Sequence, residues 1–346
     1  MSNSISFDDQ LISIFDSIGI NRQDVSINRI EGGKNNRTFA ALIDKKPQFL
    51  IKHYFKDSQD NRDRLGIEFS FISFAWNNGI RTIPKPIACD NKSGIGMYSF
   101  IEGKHINQEE LKKDHIHQAV KFFLHLNTKR NINDAYLLPI ASDACFSICD
   151  HLMNVEKRIN RLNRINDDDS ISKQAINLIQ NRIYPTWKNL KKKCIKRFEK
   201  EKINILQLLQ FNECCLSPSD FGFHNALETN EKQLVFIDFE YAGWDDPIKP
   251  LCDFFSHPDI QIPYKFFIKS LQGVSSYFCS EKMGAVAEIL YPVYKIKWCC
   301  IMLNEFMPID IKRRCFAQSC KSKYRIKEKQ LTKINHYFEK YFQDEF

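Results

Sequence analysis

Two short stretches in the second half of the chain carry polar side chains for which packing gives no obvious reason. Residues 217–227 have the sequence SPSDFGFHNAL, and residues 234–247 have the sequence LVFIDFEYAGWDDP. Asp220 and Asn225 lie in the first stretch, and Asp238 directly follows the apolar run LVFI in the second. A buried strand over that run would deliver the Asp238 carboxylate rigidly. We therefore expect a fold that holds these three polar groups together.

The three groups match what a magnesium–phosphate site requires. Mg²⁺ prefers a few hard oxygen ligands together with phosphate oxygens. In phosphoryl transfer the protein mainly positions groups and neutralises charge. On a loop, the spacing of Asp220 and Asn225 lets the carboxylate face a substrate while the amide faces a metal. The alternative is that Asp220 caps a turn and Asp238 ends a strand, which explains each residue alone but not their joint spacing.

The length of the chain favours one large bilobal unit or two domains. Its 346 residues exceed an average domain. Because 43% of the residues are hydrophobic and 28 are Phe, the chain can fill a sizeable core.

The cysteines indicate reduced thiols in a cytoplasmic protein. The twelve Cys are scattered without a CxxC pair, and the start MSNSISFDDQ has neither a basic segment nor an apolar stretch of the kind found in signal peptides. We expect many of them to serve as small buried apolar groups. No apolar run approaches the roughly 18 residues that a membrane-spanning helix needs.

The net charge of +8 is compatible with anionic partners such as nucleotides, phosphosugars or nucleic acid. Much of it lies in residues 187–202, WKNLKKKCIKRFEKEK, where Leu190, Cys194, Ile195 and Phe198 recur at helical spacing. The solvated face of a helix explains this run. No known nucleic-acid module accompanies it, so we expect no nucleic-acid partner.

The first hundred residues are rich in predicted strands. Residues 25–43 place apolar residues on either side of a polar, Gly-containing turn, which indicates a hairpin. Residues 47–55, 83–90 and 94–103 are predicted as further strands. Residues 61–77 have helical periodicity. These elements predict a small sheet with one helix.

Helical periodicity dominates the rest of the chain. It covers residues 105–127, 143–163, 171–202 and 261–346, and the segment SFIEGK at 99–104 is the expected connector. We therefore predict an α+β, bilobal fold in which a small antiparallel-sheet lobe precedes a larger, mainly helical lobe.

The first lobe supplies groups suited to a nucleotide. Residues 31–39, EGGKNNRTF, form a turn where Gly32 and Gly33 would let backbone N–H groups approach phosphates, although an ordinary hairpin turn has the same pattern. Lys52 lies in an apolar strand, where a charge needs a partner, and Glu68 on the next helix is suited to that role. A surface lysine is the alternative. No GxxxxGK[ST] motif occurs, so the site is not a P-loop.

The order of these parts resembles the aminoglycoside phosphotransferase and choline kinase superfamily, the small-molecule relatives of protein kinases. GGKNNRTF resembles its nucleotide loop, YSFIEGK its interlobe linker, SDFGFHN its catalytic loop and VFIDFEYAG its metal-binding strand. IDFEYA is particularly similar to the choline and ethanolamine kinase pattern. The resemblance extends from about residue 27 to 256. It implies a protein-kinase-like fold with an N-terminal nucleotide-binding lobe at 1–97, a linker at 98–104 and a C-terminal catalytic and substrate-binding lobe at 105–346.

The resemblance also implies roles for individual residues, with ATP and Mg²⁺ as cofactors. Asp220 would be the catalytic base or hydroxyl-orienting group, and Asn225 and Asp238 would bind Mg²⁺. Asp253 matches an acidic position that braces the catalytic loop. The residues expected to bind the nucleotide are Gly32, Gly33, Asn36, Lys52, Glu68, Phe100 and Ile101.

One departure concerns the catalytic loop. The family usually has His-Gly immediately before the catalytic Asp, whereas this chain has Pro218 and Ser219. The loop geometry around Asp220 is therefore expected to differ. A non-catalytic nucleotide-binding protein with a dead kinase fold is the corresponding alternative. We expect His224 to have a packing or surface role.

The acceptor is less constrained than the reaction. A sugar- or polyol-like metabolite is the leading class, followed by choline or ethanolamine and then an aminoglycoside, which the positive net charge disfavours. Aromatic and acidic side chains can hold a quaternary amine by cation–π contact or stack on a sugar. Core packing is the alternative for those at helical spacing. The candidate acceptor residues are Glu240, Trp244, Asp245, Trp298 and Glu305, with Tyr241, Asp246 and Tyr294 as further members.

Overall fold

An antiparallel sheet with two helices forms the N-terminal part of the protein. The computed structural model describes residues 7–31, 35–57, 62–166, 168–317 and 323–343. The N-terminal elements are α1 (Phe7–Asp16), β1 (Val25–Ile30), β2 (Arg37–Ile43), β3 (Lys46–His53), α2 (Arg64–Asn77), β4 (Pro86–Asp90) and β5 (Ile95–Ser99). The strands follow the order β1-β2-β3-β5-β4, and each neighbouring pair is antiparallel.

The register of the sheet sets the surroundings of Lys52. Lys52 on β3 lies opposite Thr38 on β2 and Gly96 on β5. A Cβ added at Gly96 would lie 2.9 Å from the Tyr98 hydroxyl and 2.9 Å from a Leu65 methyl carbon. Glycine at this position therefore makes room for the groups packed beside the lysine.

Helix α2 begins at Arg64, three residues later than the helix predicted over 61–77. The Asp63 side chain accepts a hydrogen bond from the Gly66 amide at 3.0 Å and caps the helix, so the helix starts after this aspartate. Gly79 follows the helix with a φ of +87°, a conformation that glycine adopts readily.

The C-terminal part is mainly helical and contains two short antiparallel strand pairs, β6 with β9 and β7 with β8. Its elements are α3 (Lys113–Asn127), α4 (Ile148–Leu162), α5 (Ser170–Leu178), α6 (Tyr184–Lys200), β6 (Cys215–Ser217), β7 (Ala226–Glu228), β8 (Leu234–Phe236), β9 (Gly243–Asp245), α7 (Ile248–Ser256), α8 (Tyr264–Phe278), α9 (Met283–Met302), α10 (Pro308–Ala317) and α11 (Lys323–Phe342). The predicted α+β fold class is confirmed.

The helix predicted from residue 105 begins only at Lys113, because the chain after β5 takes an extended path. Lys104 and Glu228 exchange backbone hydrogen bonds of 3.0 and 2.8 Å. A Cβ added at Gly103 would lie 2.9 Å from the Glu228 carbonyl oxygen. The connector is thus tied to β7 instead of starting the helix.

The helix predicted over 171–202 is two helices joined by a π-helical turn at Ile179–Ile183. Pro185 lies in the first turn of α6, where a missing N–H is tolerated. The apolar periodicity continues through the turn, so the sequence pattern alone does not reveal the break.

The main hydrophobic core extends across both parts of the molecule. It includes Phe71 of α2 as well as residues of the helical part, and the Phe71 ring stacks on Phe239 at a centroid distance of 5.5 Å. A smaller core lies between α1 and the sheet, where Leu11, Phe15 and Ile51 are fully buried. Helix α2 is therefore packed against the segment that contains Asp238.

The end of α10 returns to the N-terminal sheet. Arg29 and Arg37 donate to the carbonyls of Ala317 and Phe316 at 2.8 and 2.9 Å. The Arg37 guanidinium also lies 4.3 Å from the centre of the Phe316 ring. The C-terminal segment thus contributes to the contacts between the two lobes.

Within the described residues, no helix is both long enough and apolar enough to cross a membrane. The ten cysteines whose side chains are described are free thiols, and most of them are buried.

Candidate active site

Lys52 lies between two carboxylates that come from different parts of the chain. Its Nζ is 2.7 Å from Glu68 Oε2 on α2 and 2.7 Å from Asp238 Oδ1, which follows β8. Only 8% of the Lys52 side chain is exposed. Glu68 is the partner that the sequence predicted for Lys52, and Asp238 is a second one.

Glu68 uses both of its oxygens for contacts inside the protein. Oε2 also accepts from the Tyr54 hydroxyl at 2.6 Å, and Oε1 accepts from the Phe239 amide at 3.2 Å. The Tyr54 hydroxyl is 2.8 Å from the Tyr98 hydroxyl. Since Phe239 directly follows Asp238, this network joins α2 to the metal-binding segment expected from the sequence.

The lysine keeps its proton in this setting. Burial alone would lower the pKa of Lys52, but the charges of Asp238, Glu68 and Glu240 outweigh burial and raise it well above its usual value. A permanently charged ammonium is suited to binding phosphate oxygens.

Both oxygens of the Asp220 carboxylate accept hydrogen bonds from the loop that contains it. Oδ1 is 3.2 Å from His224 Nε2, and Oδ2 accepts from Asn225 Nδ2 at 3.2 Å. About a third of the side chain, 35%, is exposed. Burial would raise the pKa of Asp220, but the charge of His224 and the hydrogen bonds from His224 and Asn225 lower it to about 2. The group is therefore ionised at neutral pH.

The β7–β8 hairpin brings Asn225 close to Asp238. Ala226 of β7 pairs with Phe236 of β8, and the Ile237 amide donates to the Asn225 carbonyl at 2.9 Å. The separation of Asn225 and Asp238 in the sequence is thus set by the β7–β8 hairpin. Both residues lie at the open end of this hairpin. The same hairpin is linked to the first lobe because Lys52 binds Asp238.

Asn225 and Asp238 fit a magnesium ion that is shared with a nucleotide. Asn225 donates through Nδ2 to the Asp220 carbonyl at 2.9 Å, so its Oδ1 is directed to other partners. Asp238 uses Oδ1 for Lys52, which leaves Oδ2. Among the described residues no cluster of three or more His, Cys, Asp or Glu could hold a metal ion by itself. Mg²⁺ is commonly bound by one or two protein oxygens plus substrate phosphates, and this pair matches that mode.

Two residues of the site have backbone conformations that L-amino acids rarely adopt. Ser219 has a φ of +64° and Asp238 a φ of +68°. The Ser219 amide donates to Ser217 Oγ at 3.0 Å, and Lys249 Nζ lies 3.5 Å from Ser219 Oγ. Such conformations persist where surrounding contacts stabilise them, and they often occur at functional sites. These contacts support the loop beside Pro218, where the sequence departs from the pattern that it otherwise resembles.

The nucleotide-loop residues are only partly described. Gly32 and Gly33 lie outside the described residues. Asn36 is buried, donates to Glu240 Oε2 at 2.7 Å and accepts from the Phe55 amide at 3.2 Å. Its nucleotide role stays a prediction, and its observed role is a contact between lobes.

The linker residues Phe100 and Ile101 follow β5 and are partly buried. The Phe100 amide donates to the Gln48 carbonyl at 2.9 Å, so this group is already occupied within the protein. The expected binding of the nucleotide by Phe100 and Ile101 stays a prediction.

Three of the predicted acceptor residues have internal partners. Glu240 and Asp245 are fully buried, so neither carboxylate faces a free acceptor in this conformation. Asp245 Oδ2 accepts from Lys249 at 2.6 Å. Trp244 is 4% exposed and donates from Nε1 to the Ala135 carbonyl at 2.9 Å. These residues contribute to packing, which sequence periodicity did not reveal.

Trp298 and Glu305 also bind within the chain. Trp298 Nε1 donates to the Asp253 carbonyl at 3.2 Å, and Glu305 forms a 2.8 Å ion pair with Arg314. Of the two, Trp298 is near Asp220, because its ring lies 6.3 Å from the ring of His224.

The further candidates also contact their own chain. Asp246 and Tyr294 contact opposite nitrogens of His151, at 3.1 and 2.6 Å. The Arg62 guanidinium lies 5.3 Å from the centre of the Tyr241 ring.

Several residues near the loop that contains Asp220 had no signal in the sequence. Lys297 of α9 forms a 2.6 Å ion pair with Asp253, and its charge contributes to the lowered pKa of Asp220. The His257 ring stacks on His224 with centroids 3.9 Å apart. The positions of Lys297 and His257 along the chain do not indicate these contacts, which arise from the packing of α7 and α9.

No family model matches the chain, and no curated protein is similar enough in sequence to count as a relative. Solved structures do share its fold. A spectinomycin phosphotransferase in complex with ADP and spectinomycin aligns with a TM-score of 0.60 at 16% identity, covering 94% of this chain and 93% of that protein. An ethanolamine kinase from Plasmodium vivax aligns with a TM-score of 0.56 at 16% identity, with coverages of 91% and 83%. A choline kinase from Streptococcus pneumoniae aligns with a TM-score of 0.56 at 14% identity, with coverages of 96% and 98%. The chain thus has the bilobal kinase-like fold of these small-molecule kinases, as its sequence motifs predicted.

Proposed function

We propose that the protein is an ATP- and Mg²⁺-dependent kinase that transfers the γ-phosphate to a hydroxyl group of a small molecule. The observation that carries this proposal is the continuous set of contacts from Glu68 through Lys52 to Asp238, and through the β7–β8 hairpin to Asn225 and Asp220. The shared fold and the nucleotide in the spectinomycin phosphotransferase structure support the same activity.

In the proposed reaction, the acceptor oxygen attacks the γ-phosphorus in line with the leaving group. The new bond joins the acceptor oxygen to that phosphorus, and the bond to the β,γ-bridging oxygen breaks, so that ADP leaves. Asp220 orients the hydroxyl and receives its proton. Because the pKa of Asp220 is about 2, the carboxylate is a weak base, and orientation is the larger part of its role.

The nucleotide phosphates would be held from both lobes. Lys52 would bind α- and β-phosphate oxygens from the first lobe, with Glu68 fixing its position. Asn225 and Asp238 would hold Mg²⁺ from the second lobe, and the bound ion would neutralise charge on the phosphates.

For the acceptor, a neutral hydroxyl-rich molecule such as a sugar or polyol remains our leading proposal. The acidic residues considered for a cationic acceptor have internal partners: Asp245 binds Lys249, Asp246 contacts His151, and Glu305 binds Arg314. These partners reduce the negative charge that would attract an amine. Choline or ethanolamine is the second candidate, supported by the IDFEYA segment and by kinases of that kind with the same fold.

The test is ADP release from Mg-ATP with a panel of sugars, polyols, choline, ethanolamine and aminoglycosides, with Asp220→Asn as the control. We expect release that depends on one acceptor class and is lost in the variant. Mg-ATP binding without turnover for any acceptor would favour a non-catalytic nucleotide-binding protein. Failure to bind nucleotide would contradict the proposal altogether.

A further inference from the structure

His224 lies in the catalytic loop with one nitrogen on Asp220 and the other without a partner. Nε2 is 3.2 Å from Asp220 Oδ1, and Nδ1 is buried without a hydrogen-bond partner in the described part of the chain. Because the carboxylate is an acceptor, Nε2 is the nitrogen that donates. A buried polar atom left without a partner is costly. The position of this ring therefore needs an explanation beyond packing.

The ring is held in place from one side by a stack of aromatic residues. His257 lies parallel to His224, with centroids 3.9 Å apart and an interplanar angle of 7°. Trp298 packs edge-on against His257, with ring centroids 4.3 Å apart. Its Nε1 donates to the Asp253 carbonyl at 3.2 Å. His257 Nδ1 accepts from the Asp259 amide at 3.2 Å, which fixes that ring in turn. The stack therefore packs against one face of the His224 ring.

Gly222 makes room for the edge of the His224 ring that contains Nδ1. A Cβ added at Gly222 would lie 2.5 Å from His224 Nδ1 and 2.6 Å from Cε1. The φ of Gly222 is −178°, an extended conformation that any residue can adopt. Glycine is therefore needed here for the space that the imidazole occupies and not for the backbone.

We propose that His224 is a positioning residue for Asp220: its Nε2–H holds Oδ1 of the carboxylate while Asn225 holds Oδ2, in the orientation that meets the acceptor hydroxyl. Gly222 and the His257–Trp298 stack keep the imidazole in that place. The inference rests on the proposed kinase function. It differs from the packing or surface role that the sequence suggested for His224.

The exposure of Asp220 explains why a second hydrogen-bond donor to its carboxylate is useful. Asp220 is partly exposed, so a single hydrogen bond from Asn225 would leave the carboxylate free to rotate about its last torsion. A donor on each oxygen removes that freedom. Small errors in the placement of a reacting group can lower rates by up to about 100-fold.

Turnover of His224 variants tests the positioning role. We expect His224→Leu to lower kcat by about 10- to 100-fold with little change in the Kd for Mg-ATP. His224→Gln offers an N–H near the position of Nε2 and should recover most of the activity. Equal kcat in His224→Leu and the wild type would overturn the proposal, as would a His224→Gln variant as slow as His224→Leu.

Gly222→Ala provides a variant that alters neither His224 nor Asp220 chemically. The added methyl group should displace the imidazole and lower kcat in the same direction as His224→Leu. Gly273→Ala is the matched control, because a Cβ added at Gly273 on α8 meets no atom within 4 Å. A Gly222→Ala enzyme with wild-type kcat would contradict the proposal.

A measurement without turnover separates this inference from the kinase proposal. In protein with ¹⁵N-labelled histidine, we expect the His224 signals to show a proton on Nε2 and to shift in Asp220→Ala and Gly222→Ala but not in Gly273→Ala. An unprotonated Nε2, or signals insensitive to Asp220→Ala, would overturn the positioning role. If the wild type released no ADP with any acceptor, the kinase proposal would fail while this measurement still decided the His224–Asp220 contact.

Discussion

Asn36 of the first lobe and Glu240 of the second lobe are joined by a 2.7 Å hydrogen bond, although 204 positions separate them in the chain. Asn35 donates to the other oxygen of Glu240, Oε1, at 2.7 Å, and Arg64 Nε lies 3.9 Å from Oε2, the oxygen that accepts from Asn36. Glu240 is two residues after Asp238. The segment between β1 and β2 and the segment that follows β8 are therefore connected through one buried carboxylate.

Replacing Glu240 with Ala should destabilise the protein. The Asn35 and Asn36 amides would lose their acceptor and the buried Arg64 would lose the opposite charge 3.9 Å away, and breaking a buried ionic contact typically costs about 3 to 5 kcal/mol. Denaturant unfolding measures the change in free energy. Glu240→Gln, which keeps one acceptor oxygen, should cost less.

The control for that experiment is Glu201→Ala. Glu201 forms a solvent-exposed ion pair with Arg197 on α6, and such pairs contribute about 0 to 1 kcal/mol. If Glu240→Ala were no more destabilising than Glu201→Ala, the contact between lobes would not be a stabilising one.

Substitutions at Asp220 and Asp238 should have different effects, one on turnover and the other on the binding of Mg-nucleotide. We expect Asp220→Ala to lose turnover by about 100-fold or more while it keeps its affinity for Mg-ATP, because the role proposed for Asp220 is to orient the acceptor hydroxyl. Asp238→Ala should instead weaken Mg-nucleotide binding by at least about tenfold, since Asp238 contacts Lys52 and has an oxygen for the metal. Calorimetric titration with Mg-ATP, together with ADP release, measures both. Unchanged turnover in Asp220→Ala would contradict the assignment, and retained affinity in Asp238→Ala would contradict the metal role.

Trp244→Phe should lower stability without changing the use of the acceptor. The indole N–H of Trp244 donates to the Ala135 carbonyl, and the side chain is 4% exposed. The Ala135 carbonyl also accepts from the Leu138 amide at 3.1 Å, so the substitution removes one of its two hydrogen bonds. We expect this loss to lower the free energy of unfolding by about 1 kcal/mol. The KM for the acceptor, measured beside thermal unfolding, should stay at the wild-type value. A raised KM with unchanged stability would restore the acceptor role predicted from the sequence.

Lys295 should make stability depend on pH. Its ammonium nitrogen is buried, lies 4.2 Å from the Tyr341 ring centre and 4.7 Å from that of Tyr291, and donates to the Phe255 carbonyl at 3.0 Å. Burial, with a smaller effect of the Lys340 charge, lowers the pKa of Lys295 from 10.5 to about 7. Between these two pH values the unfolded chain binds a proton that the folded chain does not, so stability rises with pH through this window by up to about 1.4 kcal/mol per pH unit.

Lys295→Met tests this dependence. The variant should remove that part of the slope between pH 7 and 8.5, and it should be more stable than the wild type at pH 7. Lys188→Met on the surface of α6 is the control and should leave the slope unchanged. Identical pH profiles for Lys295→Met and the wild type would show that the ammonium is not desolvated as the structure indicates.

The sequence by itself determined the fold class and the set of chemical groups for the proposed site. Alternating apolar residues in the first hundred positions and helical periodicity after them are local properties, so they predicted the sheet and the helices. The spacing of Asp220, Asn225 and Asp238 reflects a loop followed by a hairpin, which is also local. Helix boundaries were less predictable, because the cap at Asp63 and the pairing of Lys104 compete with helical propensity.

Only the tertiary structure decided which partners the charged and aromatic residues have. Asp245 and Glu240 are acidic residues of the kind expected in an acceptor site. Packing instead places them against Lys249 and Asn36 inside the protein. The same packing brings the ring of His257 onto His224 and thereby places a donor on Asp220. The physical reason is that burial makes an unpaired charge or polar group costly, and the group that pairs with it is whichever one the fold brings close, regardless of its distance along the chain.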